Sequence, residues 1–124
     1  MINIEEVARM IYSELGPGFS ERVYHNAMEV ALRDAGLKYE TERIITISYK
    51  GHVIGNVRAD IIIDNHTILE FKTIRALGLP EELQARNYLR LTGLKVAYLI
   101  NFPPRLDCEV EVRKVVALPL SEEV

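Results

Sequence analysis

The chain has 124 residues, 48% of them hydrophobic and 27% charged, with a net charge of −3 and a pI near 5.6. That length suits one domain with a real core; the acidic balance excludes a general electrostatic sponge for nucleic acid, and no apolar run approaches the ~20 residues that span a bilayer. A single cysteine, Cys108, excludes an intrachain disulfide and a four-cysteine zinc or iron–sulfur site.

Met1-Ile2-Asn3-Ile4-Glu5-Glu6 has no basic region followed by an apolar one, so it does not read as a secretory signal, and a cytoplasmic location without membrane association is the expectation. Ile4, Val7, Ala8, Ile11 and Leu15 recur at helical spacing over residues 4–14. Gly16-Pro17-Gly18 stops that helix. Ser20 can cap a second one, from Glu21 to Asp34, with Val23, Ala27, Val30 and Ala31 as its apolar stripe. From Tyr39 the period becomes that of a strand, with Ile44, Ile45, Ile47 and Tyr49 among polar residues. Lys50-Gly51 is a turn, and a second strand runs from His52 to Ile63 with a bulge or bend at Gly55-Asn56. Thr67 to Thr73 is a third strand. Ile61-Ile62-Ile63 and Ile68-Leu69 do not alternate, so both faces of this hairpin are expected to be covered. Pro80 suits the first turn of a third helix and Gly93 its C-terminal cap. Lys95 to Phe102 and Glu109 to Leu118 are the last two strands, and Ser121-Glu122-Glu123-Val124 is a solvated tail. The order is α-α-β-β-β-α-β-β, an α/β fold over 1–124 as a single domain. The helix between strands three and four implies a right-handed crossover and a parallel pair in a mixed β-sheet flanked by helices.

Three ionisable residues, Asp60, Glu70 and Lys72, interrupt the most apolar hairpin. Charges are costly to bury unless paired or bound to a metal. Glu70 and Lys72 are two apart on one strand and share a face. Asp60 joins them only if Asp64-Asn65-His66 is a three-residue loop, which pairs Ile63 with Thr67 and sets Asp60 opposite Glu70; a one-residue slip turns Asp60 to the other face. In that register the strands are ~4.8 Å apart. Both carboxylates then reach one Mg²⁺ or Mn²⁺, ions that favour hard oxygen ligands. Such an ion polarises a phosphoryl oxygen and acidifies a bound water, while Lys72 positions the water or stabilises the developing charge. The spacing alone fits an ordinary Glu–Lys pair on a partly exposed strand equally well. Glu21 shares a helical face with Tyr24 and by itself reads as a first-turn acid favoured by the helix dipole. Gln84 and Tyr88 are an i, i+4 pair on the third helix, by itself a core-facing polar pair.

Taken in order, Glu21, Asp60, Glu70-x-Lys72 and Gln84-x-x-x-Tyr88 resemble the PD-(D/E)XK nuclease superfamily in its RecB-like form. More narrowly, Gly18-x-x-Glu21-x-x-Tyr24, Arg58-Ala59-Asp60, Leu69-Glu70-Phe71-Lys72 and Leu91-Thr92-Gly93-Leu94-Lys95 resemble the GxxExxY protein family, over roughly residues 5 to 118. The resemblance implies a restriction-endonuclease-like fold, with Asp60 and Glu70 as metal ligands and Lys72 as the catalytic lysine. Glu21 would be an additional acidic ligand or water holder, and Gln84 and Tyr88 the supporting helix motif. Ala59 stands where the superfamily motif has proline, and Pro103-Pro104 interrupts the segment after Asn101-Phe102. The implied activity is Mg²⁺- or Mn²⁺-dependent hydrolysis of phosphodiester bonds, in DNA rather than RNA. Its rivals are a catalytically inactive nuclease-fold module that binds nucleic acid or a protein partner, and an interaction protein with a Glu70–Lys72 salt bridge at a homodimer interface.

His25 could face the site but reads as a surface residue, and His52 and His66 read as solvated turn residues; the three have no zinc-ligand spacing. Arg75, Arg86, Arg90 and Lys95 could line a phosphate path near the third helix. Cys108 has no catalytic context.

Overall fold

Asn3 starts the first helix, α1 (Ile4–Leu15): its side-chain oxygen accepts the Glu6 N–H at 3.0 Å, and Glu5 and Glu6 sit in the first turn where the helix dipole favours acids. Ile4, Ala8 and Tyr12, four residues apart, form its buried face. In this computed structural model, which describes residues 2–118, Gly16 ends α1 at φ 75°, a conformation open to glycine. The tail 121–124 lies outside the described residues. Helix α2 (Glu21–Asp34) begins at Ser20, whose hydroxyl makes no capping bond. Its buried face is Tyr24, His25, Met28 and Leu32, a correction to the stripe expected from Val23, Ala27, Val30 and Ala31. The larger side chains cover the sheet, while Ala27, Val30 and Ala31 border the shallow groove against α1, leaving Val30 50% exposed.

The five strands lie in sequence order: β1 (Tyr39–Tyr49), β2 (His52–Ile63), β3 (Thr67–Lys72), β4 (Val96–Asn101) and β5 (Glu111–Val116). Pairing is antiparallel except between β3 and β4, which are parallel and joined through helix α3 (Leu79–Thr92). Gly93 caps α3 in the left-handed conformation and its N–H reaches the Leu89 carbonyl. Lys50 and Gly51 both have positive φ, as a two-residue hairpin turn requires. The expected irregularity near Gly55 falls one residue earlier: the register passes from Ile47↔Gly55 to Ser48↔Val53 and leaves Ile54 as the extra residue.

Each face of the sheet carries its own core. Ile61, Ile63, Leu69, Phe71, Ile100 and Phe102 pack under α1 and α2, and Ile62, Ile68, Ala97, Leu99 and Val115 pack under α3 with Ala85, Tyr88 and Leu89. This is why the central strands lose the alternation of a half-solvated sheet. Phe102 closes the first core: its ring stacks on Tyr24 at 4.1 Å and lies 5.8 Å from Tyr12, whose hydroxyl donates to the Pro103 carbonyl. The prolines that end β4 thus also fasten α1. Phe102→Ala removes the ring that both tyrosines contact, and a loss of about 3–5 kcal/mol in urea denaturation is expected; a loss below about 1 kcal/mol would place the weight of this core elsewhere.

Candidate metal centre

The centre is built where β2 and β3 part. Their ladder holds Ile63↔Thr67, Ile62↔Ile68 and Ile61↔Leu69, with Asp64, Asn65 and His66 as the three-residue loop. Asp64 and Asn65 sit at φ 51° and 50°, and the His66 N–H closes the turn on the Ile63 carbonyl at 2.9 Å. Both residue types tolerate that left-handed backbone, so the loop follows from local chemistry. The register is the one that sets Asp60 opposite Glu70. At this step β2 leaves the ladder, while β3 stays paired with β4 as far as Lys72↔Asn101. Asp60 bridges the opening with its side chain: Oδ2 accepts the Phe71 N–H at 2.9 Å, a donor that a β2 carbonyl would otherwise have taken.

The point where β2 leaves β3 has a counterpart on β1. Pairing passes from Thr41↔Ile61 to Arg43↔Ala59, and Glu42, between them, has φ 57°. Across this point the faces exchange. Ile61 belongs to the core under α1 and α2, while Ala59 belongs to the core under α3.

Glu70 is 3% exposed, and its Oε1 has no hydrogen-bond partner. Burial pushes its carboxyl well above the usual carboxylate range, the neighbouring Asp60 charge pushes it further, and Lys72 pulls it back in part. A buried, unsatisfied carboxylate oxygen beside a second carboxylate is expensive in the ionised form. The hard oxygens of Asp60 and Glu70 fit a divalent cation such as Mg²⁺, which takes one or two carboxylates and keeps several waters. Glu21, at the start of α2, is raised by burial and senses both Lys72 and Asp60, so it borders the same region. It stands apart from the pair: among the described residues, no group of three His, Cys, Asp or Glu side chains is gathered closely enough to hold a metal ion.

Lys72 and Gln84 meet directly, with Nζ donating to Oε1 at 2.7 Å. One turn along α3, the Tyr88 hydroxyl donates to the Arg58 carbonyl at 3.2 Å, two residues before Asp60. Burial raises the Tyr88 phenol, the Glu70 and Asp60 charges add to this, and the group stays protonated. The pair Gln84 and Tyr88 therefore ties α3 to β3 and β2 on the two sides of the opening.

Some expectations need correction. His25 is 3% exposed rather than on the surface; its ring lies 5.4 Å from Phe71, and Nε2 comes within 2.9 Å of a Glu29 oxygen but out of line for a hydrogen bond. Arg86, Arg90 and Lys95 border a groove of about 570 Å³ at the Val96 end of the sheet, whereas Lys72 stands at the Asn101 end. Sequence reasoning also missed Asn101, which is fully buried. Its Oδ1 accepts the Ile74 N–H at 2.9 Å, and its Nδ2 donates to the Ile74 carbonyl at 2.9 Å and to Glu111 Oε1 at 2.8 Å. The same Glu111 oxygen accepts the Leu77 N–H at 3.0 Å. Together they clamp the segment between Lys72 and α3. The available signal was an asparagine closing the apolar run Val96–Ile100.

A sequence-family profile described as the PD-(D/E)XK nuclease superfamily matches residues 1–115, and the chain belongs to that superfamily. Its members typically use divalent metal ions. Among solved structures, SSO0001 is similar at 25% identity and a TM-score of 0.59, over 82% of this chain and 52% of that one, so the chain spans about half of SSO0001. LHK-Exo in complex with dAMP is similar in fold at 14% identity and a TM-score of 0.56, over 91% of this chain and 68% of that one. No curated protein matches. Among the described residues, no helix is long and apolar enough to cross a membrane.

The raised Glu70 carboxyl sets a pH dependence. Above its ordinary value of 4.5 the folded state holds a proton that the unfolded state has released, so metal-free stability falls as the pH rises through that window. Glu21, also raised, adds to the slope. Urea denaturation in EDTA is expected to show this fall as the pH is raised above the ordinary carboxylate value of 4.5. Glu70→Gln should flatten the fall and remove the rise in Tm that Mn²⁺ produces in the parent protein. A second expectation concerns the clamp: Asn101→Ala strands the Ile74 backbone groups and costs about 1–3 kcal/mol in the same assay.

Proposed function

We propose that the protein is a metal-dependent nuclease that hydrolyses phosphodiester bonds, in DNA, in the cytoplasm. The observation that carries the reading is the orphaned, buried Glu70 Oε1 beside Asp60, two residues before a lysine held in place by Gln84. Asp60 and Glu70 would hold the divalent ion, with Glu21 as a more distant holder of water. The ion supplies Lewis-acid polarisation of a phosphoryl oxygen and a more acidic bound water. Lys72 orients the attacking water and offsets the negative charge carried by the phosphoryl oxygens as the new P–O bond forms and the ester P–O bond breaks. Gln84 restrains the flexible lysine stem, and Tyr88 holds α3 at the distance this requires. The family membership and the similarity of the Gly18-x-x-Glu21-x-x-Tyr24 segment to GxxExxY proteins support the same reading.

One observation favours the rival reading of an inactive nucleic-acid-binding module: among the described residues, no third metal-ligating side chain joins Asp60 and Glu70. Cleavage of plasmid and oligonucleotide substrates with Mg²⁺ and with Mn²⁺ separates the two. Lys72→Ala is expected to lower metal-dependent cleavage by at least about 100-fold with an unchanged circular dichroism spectrum. Unchanged cleavage in that variant overturns the mechanism, and a parent protein that binds DNA without cutting it is the inactive module.

A further inference from the structure

An acidic metal centre repels the polyanion it must admit, and the chain as a whole carries a net charge of −3. The cations that offset this have to be local. Arg22 and Arg58 come from different elements and converge on one carboxylate. Arg22 follows Glu21 in the first turn of α2 and hydrogen-bonds Glu42 Oε1; Arg58, two residues before Asp60 on β2, brings its guanidinium to 3.9 Å from Glu42 Oε2. All three side chains are substantially solvent-exposed. The Arg22 hydrogen bond and charge hold Glu42 below the usual carboxylate range, so near neutral pH the group is one anion between two cations, with a surplus positive charge.

The position is specific. Glu42 lies on β1 between the residues paired with Ile61 and Ala59, the place in the register that faces Asp60. It adopts φ 57° inside a strand, a conformation that residues with a Cβ enter rarely. Arg58 is anchored through its backbone, because its carbonyl receives the Tyr88 hydroxyl. Arg22 is anchored by the helix that carries Glu21, a residue electrostatically coupled to Asp60 and Lys72. Two guanidiniums thus meet over Glu42 on the β1 side of β2, two residues before Asp60 and one after Glu21 in the chain, each within 4 Å of one carboxylate. Exposed ion pairs of this kind are weak, about 0.2–1 kcal/mol, whereas guanidinium groups form strong paired hydrogen bonds with phosphate.

We propose that Arg22 and Arg58 are a binding site for the phosphodiester backbone of nucleic acid entering the metal centre, with Glu42 as a resident phosphate mimic that the substrate displaces. The inference rests on the nuclease reading for its substrate, but it concerns binding and does not require turnover. Glu42 occupies the site in the free protein and keeps two arginines oriented toward one point. A phosphate takes its place, and the carboxylate moves to solvent.

The test is fluorescence anisotropy with a labelled DNA duplex and its single strand in EDTA, titrated across salt, beside cleavage in Mn²⁺. Arg22→Gln and Arg58→Gln are each expected to weaken binding and to lower the log–log salt slope on duplex by about 0.9. Glu42→Gln is expected to tighten binding about two- to five-fold, the worth of an exposed ion pair. Thermal melts check folding, and substitutions at these exposed positions should leave Tm nearly unchanged. Unaltered slopes in both arginine variants, or weaker binding in Glu42→Gln, overturn the inference while leaving the nuclease reading intact if cleavage persists. Binding that depends on the arginines without any cleavage supports the inference and overturns catalysis. A parent protein that neither binds nor cuts overturns both.

Discussion

A single hydrogen bond decides whether this hairpin has a site at all. The Phe71 N–H must find an acceptor where β2 leaves the ladder, and a buried backbone donor left unpaired costs about 1–3 kcal/mol. Asp60 supplies that acceptor through its side chain. A carboxylate drawn in to satisfy the backbone is then fixed next to Glu70, which sits on the adjacent position of β3. The repulsion between the two follows from satisfying the ladder and is the physical basis of the centre.

The surrounding structure resists the obvious relief, which is for the hairpin to slip by one residue. Slippage would turn the isoleucines of β2 from one core to the other, and both cores are closed by helices. Tyr88 and Gln84 add a second restraint by tying one helix to both sides of the opening. The two carboxyl groups therefore stay side by side because register, packing and the α3 contacts all oppose their separation, and the proton that Glu70 retains relieves their repulsion in the metal-free protein.

Much of this is legible in the residues because the determinants are local. Asp64-Asn65-His66 can form the left-handed turn by its own chemistry, and that turn length sets the register of everything from Asp60 to Glu70. Gly93 likewise announces the end of α3. What escapes the sequence depends on partners distant in the chain. Helix α2 has apolar residues on more than one face, and the choice of Tyr24, Met28 and Leu32 as the buried set is made by the sheet beneath. His25 is buried by its contact with Phe71, which no helical periodicity reveals. Thr41-Glu42-Arg43 contains no turn-forming residue, so nothing local announces the inversion at Glu42. Asn101 and Glu111 look like a strand end and a solvated strand acid until the segment after Lys72 is folded against them.

That last pair has a consequence for where in the chain the working geometry is set. Every side chain of the centre, from Glu21 to Tyr88, precedes Asn101 and Glu111 in the chain. The segment that joins Lys72 to α3 is fastened by Asn101 and Glu111. The path between Lys72 and α3 is therefore set by residues of β4 and β5, well removed in the chain from the acids and the lysine it serves.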